Sequence, residues 1–154
     1  MYEQEVINLV KNNTAFMGTV DGHRPRVRPM KPYVDEAGHI WLISAAKTKK
    51  VAEIEENPRV ELCVQGQGEF VQIFGRLKPV KPEAELLKTI FAALPAMTNY
   101  FSGPDDPNVV IYRMTVHEVF YANQQHVLTT NVNLDTEPDW DREVSLCPGG
   151  FCLD

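Results

Sequence analysis

The sequence predicts a mainly β, α+β protein, built as a small antiparallel barrel with helices at its periphery. Two predicted hairpins and a long final strand supply most of the sheet. Turns of two to four residues join most strand pairs, and such short connections are possible only between antiparallel strands. The helices fall between the hairpins and do not alternate regularly with strands, which makes a parallel α/β sheet the weaker alternative.

The first predicted elements are a helix and a hairpin. Residues 2–12 predict a short helix because their apolar side chains share one face. Residues 14–20 predict a strand, and Asp21-Gly22 is a strong turn signal before a second strand at about residues 24–34. Prolines interrupt this second strand at three positions: Pro25, Pro29 and Pro32. Because proline cannot donate to a ladder, we expect an edge strand or a bulged strand.

The middle of the chain predicts a buried strand followed by a helix. Residues 35–38 form a turn, and residues 39–44 have the apolar composition of a buried strand. A helix is then expected over residues 48–56, ending at Asn57-Pro58 because proline excludes helical backbone at the residue before it.

A second hairpin, one helix and a final strand complete the predicted domain. Residues 59–64 and 69–80 pair around a glycine-rich turn, and residues 109–121 form the last strand. Pro82 suits the first turn of a helix. The apolar face of that helix consists of Leu86, Leu87, Ile90, Phe91 and Leu94.

The composition excludes several classes of protein. The chain has 154 residues, of which 44% are hydrophobic and 23% charged, so a disordered chain, a collagen and a disulfide-dense toxin are ruled out. The longest apolar stretch, residues 40–46, contains Ser44 and is too short to span a membrane. The first residues lack the basic start and apolar run of a signal peptide. We therefore expect a cytoplasmic protein with no membrane partner.

The character of the chain changes after Gln124. We expect residues 1–125 to form one domain and residues 126–154 to form an acidic tail, either irregular or packed as an arm on a neighbour. Cys147 and Cys152 in this tail could bridge or bind a metal, but their spacing is not that of a zinc site. Free thiols are the expectation in a cytoplasmic protein, and we predict no metal site.

The charge of the chain is strongly segregated. Residues 22–52 contain seven basic and two acidic residues, a net charge of +5, whereas the remainder carries −11. The basic residues are Arg24, Arg26, Arg28, Lys31, Lys47, Lys49 and Lys50. One basic segment in an acidic protein indicates a local anion site or, on composition alone, a chance cluster of solvated charges. An isoelectric point near 5.2 disfavours a nucleic-acid partner.

The predicted helix at residues 48–56 carries its charges in the wrong order. Lysines stand at its start and glutamates crowd its end, whereas the helix dipole favours the reverse. A bound phosphate would compensate, because helix N–H groups and ammonium groups would converge on one anion, with the Thr48 hydroxyl as a further donor. The competing explanation is a weak Lys49–Glu53 pair one turn apart.

The preceding strand adds arginines to the same region. Arg24, Arg26 and Arg28 alternate along the strand, so they share one face. A strand, a turn and a second strand separate Arg28 from Lys49, a path that returns the chain beside its start. Arg28 and Lys49 could therefore meet at one phosphate. The alternative is a solvated edge strand whose charges discourage aggregation.

Several stretches together resemble a known family. They are Arg28-Pro29-Met30, residues 35–44, Lys47-Thr48-Lys49-Lys50, residues 54–60 with Asn57-Pro58-Arg59-Val60, and residues 71–77. The combination is similar to the FMN-binding split-barrel family, typified by pyridoxamine 5'-phosphate oxidase and smaller general-stress flavoproteins. The resemblance covers roughly residues 5–122. It implies a split antiparallel β-barrel for the domain at residues 1–125.

The resemblance also implies a cofactor site for FMN. Arg28 and Lys49 would bind the FMN phosphate, with Thr48 and Lys50 assisting. The remaining implied residues lie beside the isoalloxazine ring or the ribityl chain: Pro29, Met30 and Lys31 on one strand, and Ile43, Ser44 and Ala45 on another. Lys49 stands where arginine is common in the family, which would weaken the grip on the phosphate.

The family further implies a homodimer with a flavin in each interface, to which Phe70 or Gln72 of the second chain would contribute. The expected function is a flavin-dependent oxidoreductase acting on a small molecule, with no catalytic residue identified. The acidic end of the chain disfavours pyridoxamine phosphate as the substrate, because a second phosphate would lack a basic partner. The alternative is a non-catalytic flavin- or haem-binding module.

Overall fold

The computed structural model describes the backbone of residues 3–125, 127–130, 144–147 and 150–153, and the side chains of residues 3–125. The helices are α1 (Glu3–Asn12), α2 (Lys49–Glu56) and α3 (Ala84–Ala93), followed by a 3₁₀ helix, Pro95–Asn99. The strands are β1 (Ala15–Asp21), β2 (Arg24–Met30), β3 (Tyr33–Val34), β4 (Ile40–Ala45), β5 (Arg59–Gln65), β6 (Glu69–Val80), β7 (Val109–Asn123), β8 (Val127–Thr130), β9 (Val144–Cys147) and β10 (Gly150–Leu153).

The strands β1 to β8 form one antiparallel sheet that curls into a barrel. Its order is β2-β1-β5-β6-β7-β4-β3, and β8 pairs with β7. Only Lys31 and Pro32 separate β2 from β3 along the chain, although these two strands stand at opposite ends of the order. The short link brings both edges of the sheet together. The predicted antiparallel fold with peripheral helices is confirmed.

The core fills the inside of this sheet and extends to one outer helix. Fully buried side chains from α1, α2 and six strands form the main cluster, which includes Val10, Met17, Leu62, Ile73 and Tyr121. A second cluster joins α3 to the other side of β4 and β7 through Ile90, Phe91 and Phe101. The barrel therefore presents the start of α2 and the β1–β2 hairpin at its surface, while α3 covers a different region.

The proline-rich strand behaves largely as its sequence predicts. Among the residues that the structure describes, β2 pairs only with β1 and is therefore an edge strand, which tolerates Pro25 and Pro29. The predicted strand at residues 24–34 is nevertheless divided at Lys31-Pro32 into β2 and β3. Pro82 precedes the N-cap residue Glu83 of α3 and so lies just outside the first turn.

A bulge interrupts the pairing of β6 with β7. Phe74 is opposite Glu118 and Gly75 is opposite Val116, so His117 is the extra residue on β7. A Cβ atom on Gly75 would lie 2.1 Å from the backbone oxygen of Thr115. Glycine is required there because no side-chain atom fits between the two strands.

The side of the sheet opposite the core carries unusually exposed apolar side chains. Phe16 is 51% exposed, Val27 68% and Phe70 37%. The register places Pro29, Phe16, Cys63, Gln72 and Phe120 in one row across five strands. We call this surface of β2, β1, β5, β6 and β7 the outer face.

The C-terminal segment contains regular strands. Residues 127–130 extend the sheet as β8. β9 pairs antiparallel with β10 and contacts α1 and β7. The expectation of an irregular tail is therefore wrong for these strands, while the domain boundary at residue 125 stays a prediction. His126 and the side chains of Cys147 and Cys152 lie outside the described residues. Within the described part of the chain, no helix has the length and apolar character of a membrane span.

Candidate anion site at the start of helix α2

Four cationic side chains gather where α2 meets the β1–β2 hairpin. Arg26 and Arg28 come from β2, and Lys49 and Lys50 form the first turn of α2. We call these four residues the basic cluster. α2 packs against β1, and β1 pairs along its length with β2. The structure therefore brings together the strand and the helix start that the charge pattern singled out.

Arg28 is held by two side chains from neighbouring elements. Its Nη2 donates to Oε2 of Glu53 at 2.7 Å, and its Nη1 donates to Oγ1 of Thr19 at 2.6 Å. Thr19 also donates its hydroxyl hydrogen to Oε2 of Glu53 at 2.6 Å. The hydrogen bond from Thr19 and that from Arg28 lower the pKa of Glu53, although burial opposes them. Glu53 is thus an ionised carboxylate within the protein.

Lys49 and Arg26 share a different carboxylate. Oδ2 of Asp21 lies 3.3 Å from Nζ of Lys49 and 3.4 Å from Nε of Arg26. The hydrogen bond from Lys49 lowers the pKa of Asp21 most strongly. The competing expectation of a Lys49–Glu53 pair is wrong, because Glu53 turns inward to Arg28 and Lys49 reaches the hairpin.

Lys50 differs from the other cations of the cluster. It is half-buried and forms no hydrogen bond or ion pair with any residue that the structure describes. Burial lowers its pKa, and the positive charge of Arg28 lowers it further. Two like charges therefore lie close together at the start of α2, with one ammonium group lacking a protein acceptor.

The start of α2 is also uncapped by any side chain. Thr48 is the N-cap residue, but its hydroxyl donates to the backbone oxygen of Ala45 at 3.0 Å and makes no capping bond. The buried Ser44 places its Oγ 3.4 Å from that of Thr48. The first turn contains no acidic residue. The helix N–H groups are consequently available to an external acceptor.

The remaining candidate residues lie on β2, on the link that follows it and on β4, but not at the basic cluster. Nζ of Lys31 donates to the backbone oxygens of Lys11 and Asn13, at 2.7 and 2.8 Å, and thus binds the end of α1. Burial lowers its pKa. Met30 packs on the main core, whereas Pro29 is exposed. On β4, the side chains of Ile43 and Ala45 pack in the second hydrophobic cluster.

Sequence reasoning missed the acidic and hydroxyl partners of the cluster: Thr19, Asp21 and Glu53. The sequence predicts Asp21 only as a turn residue, and Glu53 as an acid at the wrong end of a helix or as a partner of Lys49. Thr19 is opposite Arg26 in the β1–β2 register, so hairpin pairing could have placed it beside the arginines. No sequence pattern links Glu53 to Arg28.

The arrangement is suited to binding a doubly charged anion. Four cations and two carboxylates leave a net charge of +2 at the cluster, which matches the charge of about −2 on a phosphate monoester. Guanidinium, ammonium, hydroxyl and backbone N–H donors are all present, and these are the groups that proteins use for phosphate.

The sequence is similar to those of known proteins. The family model described as pyridoxamine 5'-phosphate oxidase matches residues 3–123. General stress protein 26 of Bacillus subtilis is 28% identical over 127 residues, which cover 79% of this chain and 88% of that protein.

Solved structures show the same fold. A NimC/NimA family protein from Clostridium acetobutylicum has a TM-score of 0.71 at 20% identity, over 82% of this chain and 89% of that one. General stress protein 26 from Bacillus anthracis has a TM-score of 0.71 at 17% identity, over 84% and 100% of the two chains. A heme binding protein from Mycobacterium smegmatis has a TM-score of 0.69 at 12% identity, over 84% and 57%.

Proposed function

Because the chain belongs to the pyridoxamine 5'-phosphate oxidase family, we propose that it binds FMN and acts as a flavin-dependent oxidoreductase on a small molecule. The basic cluster and the start of α2 hold the FMN phosphate. The backbone of Pro29, Met30 and Lys31 lies beside the isoalloxazine ring. The segment Ile43-Ser44-Ala45 contacts the ring or the ribityl chain.

The observation that carries this proposal is the half-buried Lys50 ammonium group beside Arg28. A half-buried cation without a protein acceptor loses part of its hydration with no compensating contact, and a neighbouring guanidinium adds repulsion. A phosphate placed between Lys50 and the N–H groups of α2 would relieve both costs. Since the donors and the net charge suit a phosphate monoester, the residues present fit FMN.

The residues of this chain bind and orient the cofactor. Bound FMN supplies hydride chemistry at N5 of its ring, so the protein itself need not supply a general base. Arg28, Lys49 and Lys50 fix one end of the cofactor, and the backbones of β2 and β4 fix its plane. Lys31 would act through its backbone, because its side chain is bound to the end of α1.

The outer face supports a homodimer with FMN at its interface. Apolar side chains as exposed as those of Phe16 and Val27 indicate a protein-binding surface. A second copy of the chain is the partner proposed here, because a two-fold axis lets one surface pair with itself. Phe70 and Gln72 both lie on this face and are the proposed contacts to the partner's flavin.

The alternative function is a non-catalytic flavin- or haem-binding module. The heme binding protein from Mycobacterium smegmatis shares the fold, and the basic cluster would suit a flavin carrier as well as an enzyme. Turnover distinguishes the two functions. A carrier would bind its ligand but would not oxidise a nicotinamide donor.

The test is to titrate the purified protein with FMN and with riboflavin, which has the same ring but no phosphate. We expect a flavin absorption spectrum and tighter binding of FMN than of riboflavin. Lys50→Met removes the ammonium group without breaking a protein ion pair, and should weaken FMN binding at least about tenfold. Riboflavin binding should be unchanged. Arg28→Ala is less suitable, because it would leave the buried Glu53 carboxylate unpaired.

Lys47→Met is the matched control, since Lys47 is exposed and lies just before the basic cluster. Its FMN affinity should equal that of the wild-type protein. Two results would overturn the proposal: a protein that takes up no FMN, or equal FMN affinities for the Lys50 and Lys47 variants. Uptake of haem in place of FMN would favour the alternative function.

A further inference from the structure

Three of the five N–H groups of Arg28 are bound within the protein. Nη1 donates to Oγ1 of Thr19 and, at 3.3 Å, to the backbone oxygen of Met17, while Nη2 donates one hydrogen to Glu53. The Nε hydrogen and the second Nη2 hydrogen form no bond with any residue that the structure describes. These two donors belong to adjacent nitrogens, the arrangement that binds phosphate through two hydrogen bonds.

The ring of hydrogen bonds that joins Thr19, Arg28 and Glu53 fixes this orientation. Each residue comes from a different element, namely β1, β2 and α2. Thr19 is 3% exposed and Glu53 is 5% exposed. The guanidinium of Arg28 donates to Oγ1 of Thr19 at 2.6 Å and to Oε2 of Glu53 at 2.7 Å, so its rotation would break two short bonds.

We propose that Thr19 and Glu53 are positioning residues that direct the two unbound N–H groups of Arg28 towards the cofactor phosphate. The proposal rests on the phosphate site described under the proposed function. Neither residue touches the phosphate. Both act through Arg28, which without them would sample several orientations and lose binding free energy when ordered by the ligand.

The packing of α2 alone does not require a carboxylate at position 53. Val51 and Ile54 already bury the apolar side of this helix in the main core. Burying a carboxylate and a guanidinium together is costly, and apolar residues of similar volume often stabilise a fold as well or better. An orienting role for Arg28 accounts for the ion pair, whereas a purely structural role predicts an effect on stability alone.

The experiment measures FMN and riboflavin affinities for Thr19→Val and Glu53→Asp. Thr19→Val keeps the branched shape and the charge of the site but removes the hydroxyl. Glu53→Asp keeps the charge but withdraws the carboxylate by one methylene group. We expect each variant to bind FMN roughly tenfold more weakly while its riboflavin affinity is unchanged. Thr19→Ser retains the hydroxyl and is the matched control, with wild-type affinity for both flavins.

The ratio of the FMN affinity to the riboflavin affinity separates the outcomes. If the variants fold and keep the wild-type ratio, the positioning role is overturned, whatever their unfolding midpoints are. The phosphate site itself would be unaffected by that result. A wild-type protein that binds the two flavins equally would overturn the phosphate site and this proposal with it. If Thr19→Val does not fold, the ratio measured for Glu53→Asp decides.

Discussion

Lys50 is the residue on which the chemistry of the candidate site most depends. Asp21 neutralises Lys49, and Glu53 neutralises Arg28. Lys50 has no corresponding acid among the residues that the structure describes, and its pKa is lowered by burial and by Arg28. A lysine with a lowered pKa loses its proton at a lower pH than an exposed lysine does. The affinity of the site for a phosphate should therefore depend on pH in the alkaline range.

We predict that the affinity for FMN, relative to that for riboflavin, falls as the pH is raised towards the ordinary pKa of a lysine side chain, and that the fall begins at a lower pH than an exposed lysine would give. The physical reason is that deprotonated Lys50 no longer attracts the phosphate. Lys50→Arg should remove this pH dependence, because arginine keeps its charge throughout the range. Flavin titrations at several pH values measure the effect. An equal loss in the wild-type protein and in Lys50→Arg would contradict the role assigned to Lys50.

The residues that could be predicted from the sequence are those whose charge is conspicuous along the chain. Counting charged residues along the chain identifies Arg28, Lys49 and Lys50, and the alternation of the arginines along their strand is visible in the sequence. The acidic partners could not be predicted, because Asp21 and Glu53 form ion pairs with cations on other elements and not with cations close to them in sequence. Which acid meets which base depends on how α2 packs on the hairpin, and that is a tertiary property.

At the scale of elements, hydrophobic periodicity and turn residues locate most helices and strands to within one or two residues. β6 has the predicted bounds, and α2 begins one residue late because Thr48 is its cap. The division of the proline strand and the bulge at His117 were not foreseen. The bulge depends on a close approach between β6 and β7, which a pattern of apolar residues does not record. Gly75 is the residue that permits the second of these features.

We predict that Gly75→Ala destabilises the protein by about 3 kcal/mol, because the new methyl group would overlap the backbone oxygen of Thr115. Gly18→Ala is the matched control within the same sheet. A Cβ atom there would lie 3.7 Å from the nearest neighbouring atom, an ordinary contact. Urea unfolding at one fixed protein concentration compares the two variants with the wild-type protein. Equal urea midpoints for the two variants would show that β6 and β7 can move apart without a loss of stability.

At the scale of the whole molecule, the outer face is a surface on which the single chain leaves apolar side chains exposed to solvent. The other side of the same strands is filled by the main core, whereas Phe16, Val27 and Phe70 are exposed to solvent. Glu61 and Glu118 also lie on this face, on either side of Phe74. Burial and the neighbouring Glu118 raise the pKa of Glu61. A charge added to this face should therefore oppose the association of two copies.

We predict that Phe16→Glu converts the proposed dimer into a monomer and weakens FMN binding, because it places a further carboxylate within the interface. Sedimentation or size-exclusion measurements over a range of protein concentrations give the oligomeric state. Tyr100→Glu is the control, since Tyr100 is 78% exposed and follows the 3₁₀ helix away from this face. A wild-type protein that is monomeric at all concentrations would refute the homodimer.

The long strand β7 also constrains the order in which the chain can fold. It pairs with β6, β4 and β8. In the described part of the chain, the only other strand that pairs with β4 is the two-residue β3. Ala45 is paired with Val109 in the β4–β7 register. The hydrogen bonds between β4 and β7 therefore cannot form until a much later segment of the chain has been synthesised. Until β7 emerges from the ribosome, β4 and β6 both present unpaired edges to other chains. Closure of the barrel is therefore a late, nonlocal step, and the newly made chain is most prone to aggregate just before it.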